Sequence, residues 1–117
     1  MRLLTLSDSE IYALAKPILL GTIVGANNKD WALFSRHMPA EDVSNAEIQA
    51  DVERQWDEDS YLTAFTDKPE FLGVIRKSDV VVVLWKLRCS ENDDEYLERL
   101  YLREQDGQLV QVGIWTD

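Results

Sequence analysis

Apolar residues in the first half of the chain recur at the spacing of an α-helix. Ser7 and Glu10 stand three positions apart in a capping-box motif, which marks the start of a first helix. Pro17 lies inside the helical pattern and removes a backbone donor, so we expect it to kink or split this helix near Ala13. The apolar positions of the predicted helix are Ile11, Leu14, Ala15, Ile18, Leu19 and Ile23.

Two further helices are indicated before the middle of the chain. Asp30 is a typical N-cap residue and predicts a short second helix that ends at Pro39. Ser44 and Glu47 repeat the capping-box spacing and predict that a third helix opens at Ser44. The face of this third helix that carries acidic residues is interpreted as a solvated surface. The apolar positions of the two helices are Trp31, Phe34, Ile48, Val52 and Trp56.

The second half of the chain is rich in valine, leucine, tyrosine and tryptophan, which favour strands. Residues 80–85 are apolar on both faces, which predicts a central strand that is covered on both sides. Polar turn residues separate the strand segments, so that consecutive strands are expected to pair as antiparallel hairpins. The predicted strands cover residues 71–75, 80–89, 96–104 and 108–116.

The last hairpin predicts which sheet face meets the helices. A three-residue loop, 105–107, is expected to place Leu100 and Leu102 opposite Val112 and Val110 on an apolar inner face. The outer face combines aromatic, aliphatic and arginine side chains, a composition typical of protein interfaces. We therefore predict an α+β fold whose N-terminal helices pack on a curved antiparallel sheet. The candidate interface residues are Leu97, Arg99, Tyr101, Arg103, Leu109 and Trp115.

Composition narrows the classes of function. The chain has 117 residues, which suits a single domain over residues 1–117, and a formal net charge of −10 at pH 7. This charge repels phosphate backbones and anionic lipid surfaces, so we expect neither a nucleic-acid nor a membrane partner. The single cysteine, Cys89, allows no internal disulfide, which is typical of a cytoplasmic protein. No pattern of metal ligands or glycine-rich phosphate loop is present, and no cofactor is expected.

Five segments resemble the nuclear transport factor two-like superfamily, an α+β cone also described as cystatin-like. They are NKDWALFS at 28–35, FLGVIRK at 71–77, VVLWK at 82–86, LREQDG at 102–107 and VGIW at 112–115. The similarity is greatest to small bacterial members without known activity. It implies a sheet that wraps around the helices to form a cone, and it specifies the fold better than the chemistry.

The resemblance also bears on catalysis. Isomerases of this superfamily use a tyrosine in the first helix, a carboxylate base after the second helix and a buried acid on a strand. These roles fall on Tyr12, Asp42 and Arg99, respectively. Because an arginine cannot donate as a neutral carboxylic acid, the resemblance argues against isomerase chemistry. No catalytic residue is predicted, and His37, the single histidine, is interpreted as a helix-end residue.

Two hypotheses about function remain open. The first is a non-catalytic interaction or ligand-binding module that forms a homodimer through the outer sheet face. The alternative is a lyase or isomerase that acts on a small hydrophobic ligand inside the cone, where a cavity would combine apolar walls with a few polar groups. The candidate residues for lining such a cavity are Tyr12, Trp31, Phe34, His37, Trp56 and Phe71.

Overall fold

The computed structural model describes residues 2–117 and confirms an α+β fold, with helices in the first half and a four-stranded antiparallel sheet in the second. The strands lie in the sheet in chain order, and the sheet is curved and unclosed. The helices are α1 (Asp8–Asn27), α2 (Trp31–Phe34), α3 (Ala40–Val43) and α4 (Ala46–Glu58). The strands are β1 (Glu70–Arg76), β2 (Val81–Arg88), β3 (Glu95–Gln105) and β4 (Gln108–Thr116).

Helix α1 begins as its sequence predicts. The Ser7 hydroxyl accepts the Glu10 backbone N–H at 3.1 Å, and the Glu10 carboxylate accepts the Ser7 N–H at 3.0 Å. Of the two predicted outcomes near Ala13, the split is wrong, because the helix is continuous across Pro17. Both Ala13 and Pro17 are exposed, so the carbonyl that loses its intrahelical partner can be hydrated instead.

Helix α1 is also the core helix. Its buried residues Ile11, Ala15 and Leu19 pack against the inner face of the sheet, where Val83 and Leu100 are fully buried. Burying one such side chain stabilises the fold by about 1.5–3 kcal/mol. By length and composition alone α1 is also apolar enough to cross a membrane, but a core helix passes the same test, and 44% of the relevant window is buried within the fold. The described chain is a compact structure compatible with a soluble protein.

The second and third predicted helices differ from expectation at their ends. Asp30 caps α2 as predicted, but α2 ends at Phe34, and the separate short helix α3 follows Pro39. The next helix, α4, does not open at Ser44. Its N-cap is Asn45, whose side-chain oxygen accepts the backbone N–H groups of the first turn. The Ser44 hydroxyl instead donates to the carbonyls of Ala40 and Glu41 in the four-residue helix α3.

The hairpin of β3 and β4 closes more tightly than predicted. Gln105 pairs with Gln108, so the loop contains two residues, Asp106 and Gly107, both with positive φ as a type I′ turn requires. A bulge then corrects the register, because Tyr101 pairs with Gly113 and Leu102 pairs with Gln111, which leaves one extra residue in β4. The predicted pairing of Leu102 with Val110 is therefore wrong.

Candidate functional site

A cavity of about 500 Å³ lies between the C-terminal part of α1, helix α4 and the β3–β4 hairpin. Much of its wall is apolar, with Ile23, Phe34, Val52, Trp56, Phe65 and Ile114 among the lining residues. Its rim includes the exposed residues Gln55 and Asp59, so the cavity communicates with solvent. A space of this size is in the range that small-molecule sites occupy.

Helix α4 contributes one wall of the cavity because its apolar edge turns inward. Ile48, Val52 and Trp56 recur at helical spacing and all line the space. Trp56 is buried, and its ring meets that of Phe34 edge-on, with ring centroids 5.3 Å apart. The indole of Trp56 therefore forms part of the wall and leaves the interior open.

The cavity contains one deeply buried carboxyl group, that of Glu98. Its side chain projects from β3 toward the helices, on the same face as Leu100, and only 3% of the residue is exposed. The pKa of Glu98 is raised to about 8, mainly by burial. A hydrogen bond from Thr116 lowers the pKa, but this effect is smaller than that of burial. At neutral pH the carboxyl is therefore mainly protonated, as expected of an acid removed from water without a cation beside it.

The hydrogen-bonding capacity of Glu98 is only partly used. The Thr116 hydroxyl donates to Oε1 of Glu98 at 2.9 Å, and no residue within 2–117 forms a hydrogen bond with Oε2. Thr116 is paired with Glu98 across β3 and β4, which positions the hydroxyl donor through the backbone ladder. One oxygen of a buried acid thus remains able to meet a ligand.

A second polar side chain on the same face is the amide of Gln111. It is 6% exposed and lines the cavity, and the two-residue turn places it opposite Leu102 on the inner face. Its backbone N–H donates to the His37 carbonyl at 2.7 Å, which ties β4 to the segment between α2 and α3. Glu98 and Gln111 are thus two buried polar residues that neighbouring strands contribute to the cavity wall.

Only some of the residues that the sequence predicts to line a cavity do so in the structure. Phe34 and Trp56 line it, and so does Asp42. Tyr12 and Phe71 belong to a separate aromatic cluster with the buried Trp85, with ring centroids 5.0–5.7 Å apart.

Trp31 and His37 do not line the cavity either. Trp31 packs beside Phe34 with ring centroids 6.0 Å apart, and His37 contributes its backbone carbonyl to β4. Partial burial, followed by the charge of Arg36, lowers the pKa of His37, which favours its neutral form.

The outer face of the sheet carries Leu97, Arg99, Tyr101, Arg103 and Trp115. The outward prediction for Leu109 is wrong, because it pairs with Glu104 and packs against the hydrophobic core. Arg99 pairs with Trp115, and Tyr101 covers Val82, which is buried although the helices lie on the opposite side of the sheet. Trp115 is 65% exposed and also contributes to the rim of the cavity. The outer face continues across β1, where Ile75 is exposed.

Sequence reasoning missed Glu98 and Gln111. Glu98 could have been found, because it shares the alternation of Leu100 and Leu102 and must point inward with them. Gln111 could not, because the predicted three-residue loop turns it outward, and only the two-residue turn of the structure turns it inward. Comparison with protein-family models and with curated proteins finds no match for this chain.

Proposed function

We propose that this protein is a ligand-binding module that holds a small, largely apolar molecule in the cavity between α1, α4 and the β3–β4 hairpin. The observation that carries the proposal is a buried acid, Glu98, inside a space of about 500 Å³. A core that serves only stability gains nothing from an acid with an unused oxygen, because burial of such a group is costly. The order of helices and strands is compatible with a nuclear transport factor two-like cone, whose interior is the expected ligand site.

The test is binding of a neutral fluorescent probe, N-phenyl-1-naphthylamine, to the purified chain. Val52 lines the cavity, so Val52→Phe should fill part of the space and reduce probe affinity by about tenfold or more. Val24→Phe is the matched control, because Val24 is an exposed residue of α1 that does not line the cavity. Equal probe binding by both variants, or no binding by the wild type, would contradict the proposal.

A second candidate function is a lyase or isomerase that uses Glu98 as a general acid or base. A pKa of about 8 suits proton transfer near neutral pH. Asp42 also lines the cavity, whereas Tyr12 lies in the separate cluster around Trp85. Turnover would require a ligand carbon or oxygen next to Oε2 of Glu98. Proton–deuterium exchange into a bound ligand, lost in Glu98→Gln, would distinguish an enzyme from a carrier.

We further propose that the chain forms a homodimer through its outer sheet face in the cytoplasm. Two arginines of this face are already in ion pairs, Arg99 with Asp117 at 2.6 Å and Arg88 with Glu95 at 2.7 Å. A locally neutral face is where two copies of a chain with net charge −10 repel each other least. Exposed Trp115 and Ile75 supply apolar area for the contact.

A further inference from the structure

We propose that the ligand of the cavity is an amphipathic amine, with an apolar body against α4 and an ammonium group that meets Glu98. This inference rests on the proposed ligand-binding function and adds the chemical class of the ligand. Its basis is the charge of the lining. Three carboxyl groups, those of Asp42, Asp59 and Glu98, line the cavity, and no lysine, arginine or histidine side chain lines it within residues 2–117.

The position of Glu98 gives the ammonium group its binding place. The residue is only 3% exposed, and its Oε2 has no hydrogen-bond partner within residues 2–117. An ammonium group has three N–H donors and no acceptor, so it complements a carboxylate oxygen that has no other donor. Gln111, which pairs with Leu102 four residues along β3 from Glu98, adds a further polar group to the same inner face.

Carboxylates near the mouth of the cavity act on Tyr61, which also lines it. Asp59 lies at the rim, and its charge helps to raise the pKa of Tyr61, although burial of that tyrosine is the larger cause. Asp117 acts on Tyr61 in the same direction. The nearby basic side chains are engaged elsewhere, since Arg99 pairs with Asp117 and Lys86 with Glu95, both on the outer face.

Charge in the lining also argues against the other ligand classes. An anionic ligand would enter a site with three carboxyl groups and no cation, which adds like-charge repulsion to the cost of losing water. A neutral carbonyl compound could accept a hydrogen bond from protonated Glu98, but it would leave Asp42 and Asp59 without a role in recognition. An amine is attracted by all three groups.

Proton linkage distinguishes an amine from a neutral ligand. In the protein without ligand, Glu98 has a pKa of about 8, so its carboxyl group carries a proton at pH 7. It must release this proton to form an ion pair with an ammonium group. Amine binding at pH 7 should therefore release nearly one proton, and affinity should rise by up to about tenfold per pH unit until pH 8. A neutral acceptor needs the protonated acid, so its affinity should stay level below pH 8 and fall above it.

The experiment is isothermal titration calorimetry with three ligands that share one apolar body: 4-phenylbutylamine, 4-phenylbutanol and 4-phenylbutanoate. Titrations at pH 7 in phosphate and in Tris, which differ in ionisation enthalpy, count the protons released. We expect the amine to bind at least about tenfold more tightly than the alcohol, with proton release, and the carboxylate to bind most weakly. Glu98→Gln should abolish the proton release and reduce the preference for the amine to the few-fold that Asp42 and Asp59 supply, while retaining the alcohol.

Asp59→Asn provides a second variant at an exposed position that should not affect folding. It should weaken amine binding by about two- to fivefold and leave the alcohol unchanged. If the alcohol binds as tightly as the amine and releases no proton, the cavity is a ligand site but the amine proposal is wrong. If neither these ligands nor N-phenyl-1-naphthylamine bind, the proposed function itself fails, and the amine proposal fails with it.

Discussion

Thr116 and Glu98 are joined across β4 and β3 by a hydrogen bond of 2.9 Å from the threonine hydroxyl to Oε1 of the buried acid. This bond stabilises the ionised form of Glu98 and so lowers its pKa, but burial is the larger effect and raises the pKa to about 8. Because these two causes oppose each other, the pKa of Glu98 depends on its single hydrogen-bond donor, the Thr116 hydroxyl.

Removal of that donor should raise the pKa of Glu98 further. Thr116→Val keeps the shape of the side chain and leaves the carboxylate without its hydrogen bond, so we expect a pKa clearly above 8. The side-chain carboxyl ¹³C shift of Glu98, followed by NMR from pH 5 to pH 10, measures this directly. Thr66→Val, on the connection before β1, should leave the titration unchanged. An unaltered or lower pKa in Thr116→Val would contradict the assigned hydrogen bond.

The raised pKa of Glu98 also predicts how stability depends on pH. The unfolded acid has a pKa near 4.5 and the folded acid one of about 8, so between these values the folded state holds a proton that the unfolded state has lost. The stability that Glu98 contributes is therefore fully present below pH 4.5 and is lost as pH rises toward 8. Glu98→Gln cannot ionise and should gain stability relative to the wild type across this range, by several kcal/mol at most.

Urea unfolding of both proteins at half-unit steps from pH 4.5 to pH 8.5 gives the difference in free energy of unfolding. The difference isolates Glu98 because the other carboxyl groups are common to both chains. Glu53→Gln, at an exposed position of α4, is the matched control and should follow the wild type at every pH. A constant difference between Glu98→Gln and the wild type would show that Glu98 is not a buried, protonated acid.

Local motifs predicted the elements of this fold well because they act through contacts between residues that are close in sequence. The capping box at Ser7, the N-cap at Asp30 and the aliphatic run of β2 each indicate an element that the structure confirms. The prediction of a helix start was wrong where two adjacent residues could each serve as the N-cap. Ser44 and Asn45 are both good caps, and the short helix α3 engages the first, which leaves the second to cap α4.

The cavity was less predictable because it depends on register and packing between distant segments. The sequence predicts a three-residue loop, because a two-residue turn would mix the two faces of β4. The structure has the two-residue turn, which brings Gln111 to the inner face, and the bulge beside Gly113 then returns Trp115 to its predicted outer face. Similarly, aromatic residues can be counted along the chain, but only packing decides that Trp56 lines the cavity while Tyr12 joins Trp85.

The assignment of the α4 cap predicts opposite results for two adjacent residues. Asn45→Ala removes the acceptor for the N–H groups of Glu47 and Ile48 and should reduce stability by about 1 kcal/mol. Ser44→Ala removes only an exposed hydroxyl that donates to carbonyls of α3, so we expect a change below about 0.5 kcal/mol. Chemical denaturation of both variants measures the pair. A larger loss for Ser44→Ala would restore the cap predicted from sequence.

Close contact between α1 and α2 predicts a second contrast, between two glycines of one helix. A Cβ on Gly25 would lie 2.6 Å from the backbone nitrogen of Phe34, so Gly25→Ala should push the helices apart and cost about 1–3 kcal/mol. Gly21 has nothing within 4 Å of such a Cβ, and Gly21→Ala should stabilise the helix by up to about 1 kcal/mol. Thermal unfolding compares the two. Equal effects at both positions would contradict the close approach of Gly25 to Phe34.

The proposed homodimer is tested at the pair formed by Arg99 and Trp115, which lie opposite each other on the outer face. The double variant Arg99→Glu with Trp115→Ala removes the exposed indole and places a second negative charge beside Asp117, whose ion pair with Arg99 is lost. Both changes disfavour a contact between two copies, and we expect the variant to be a monomer.

Light scattering coupled to size-exclusion chromatography gives the mass of each protein, 13.5 kDa for one chain. The control is Arg54→Glu with Leu4→Ala, which makes the same kinds of change at exposed positions outside the sheet and should retain the wild-type mass. Because Trp115 also touches the rim of the cavity, the probe titration is repeated on the double variant to separate loss of the dimer from loss of ligand binding. A monomeric wild type, or a double variant that stays dimeric, would exclude this face as the interface.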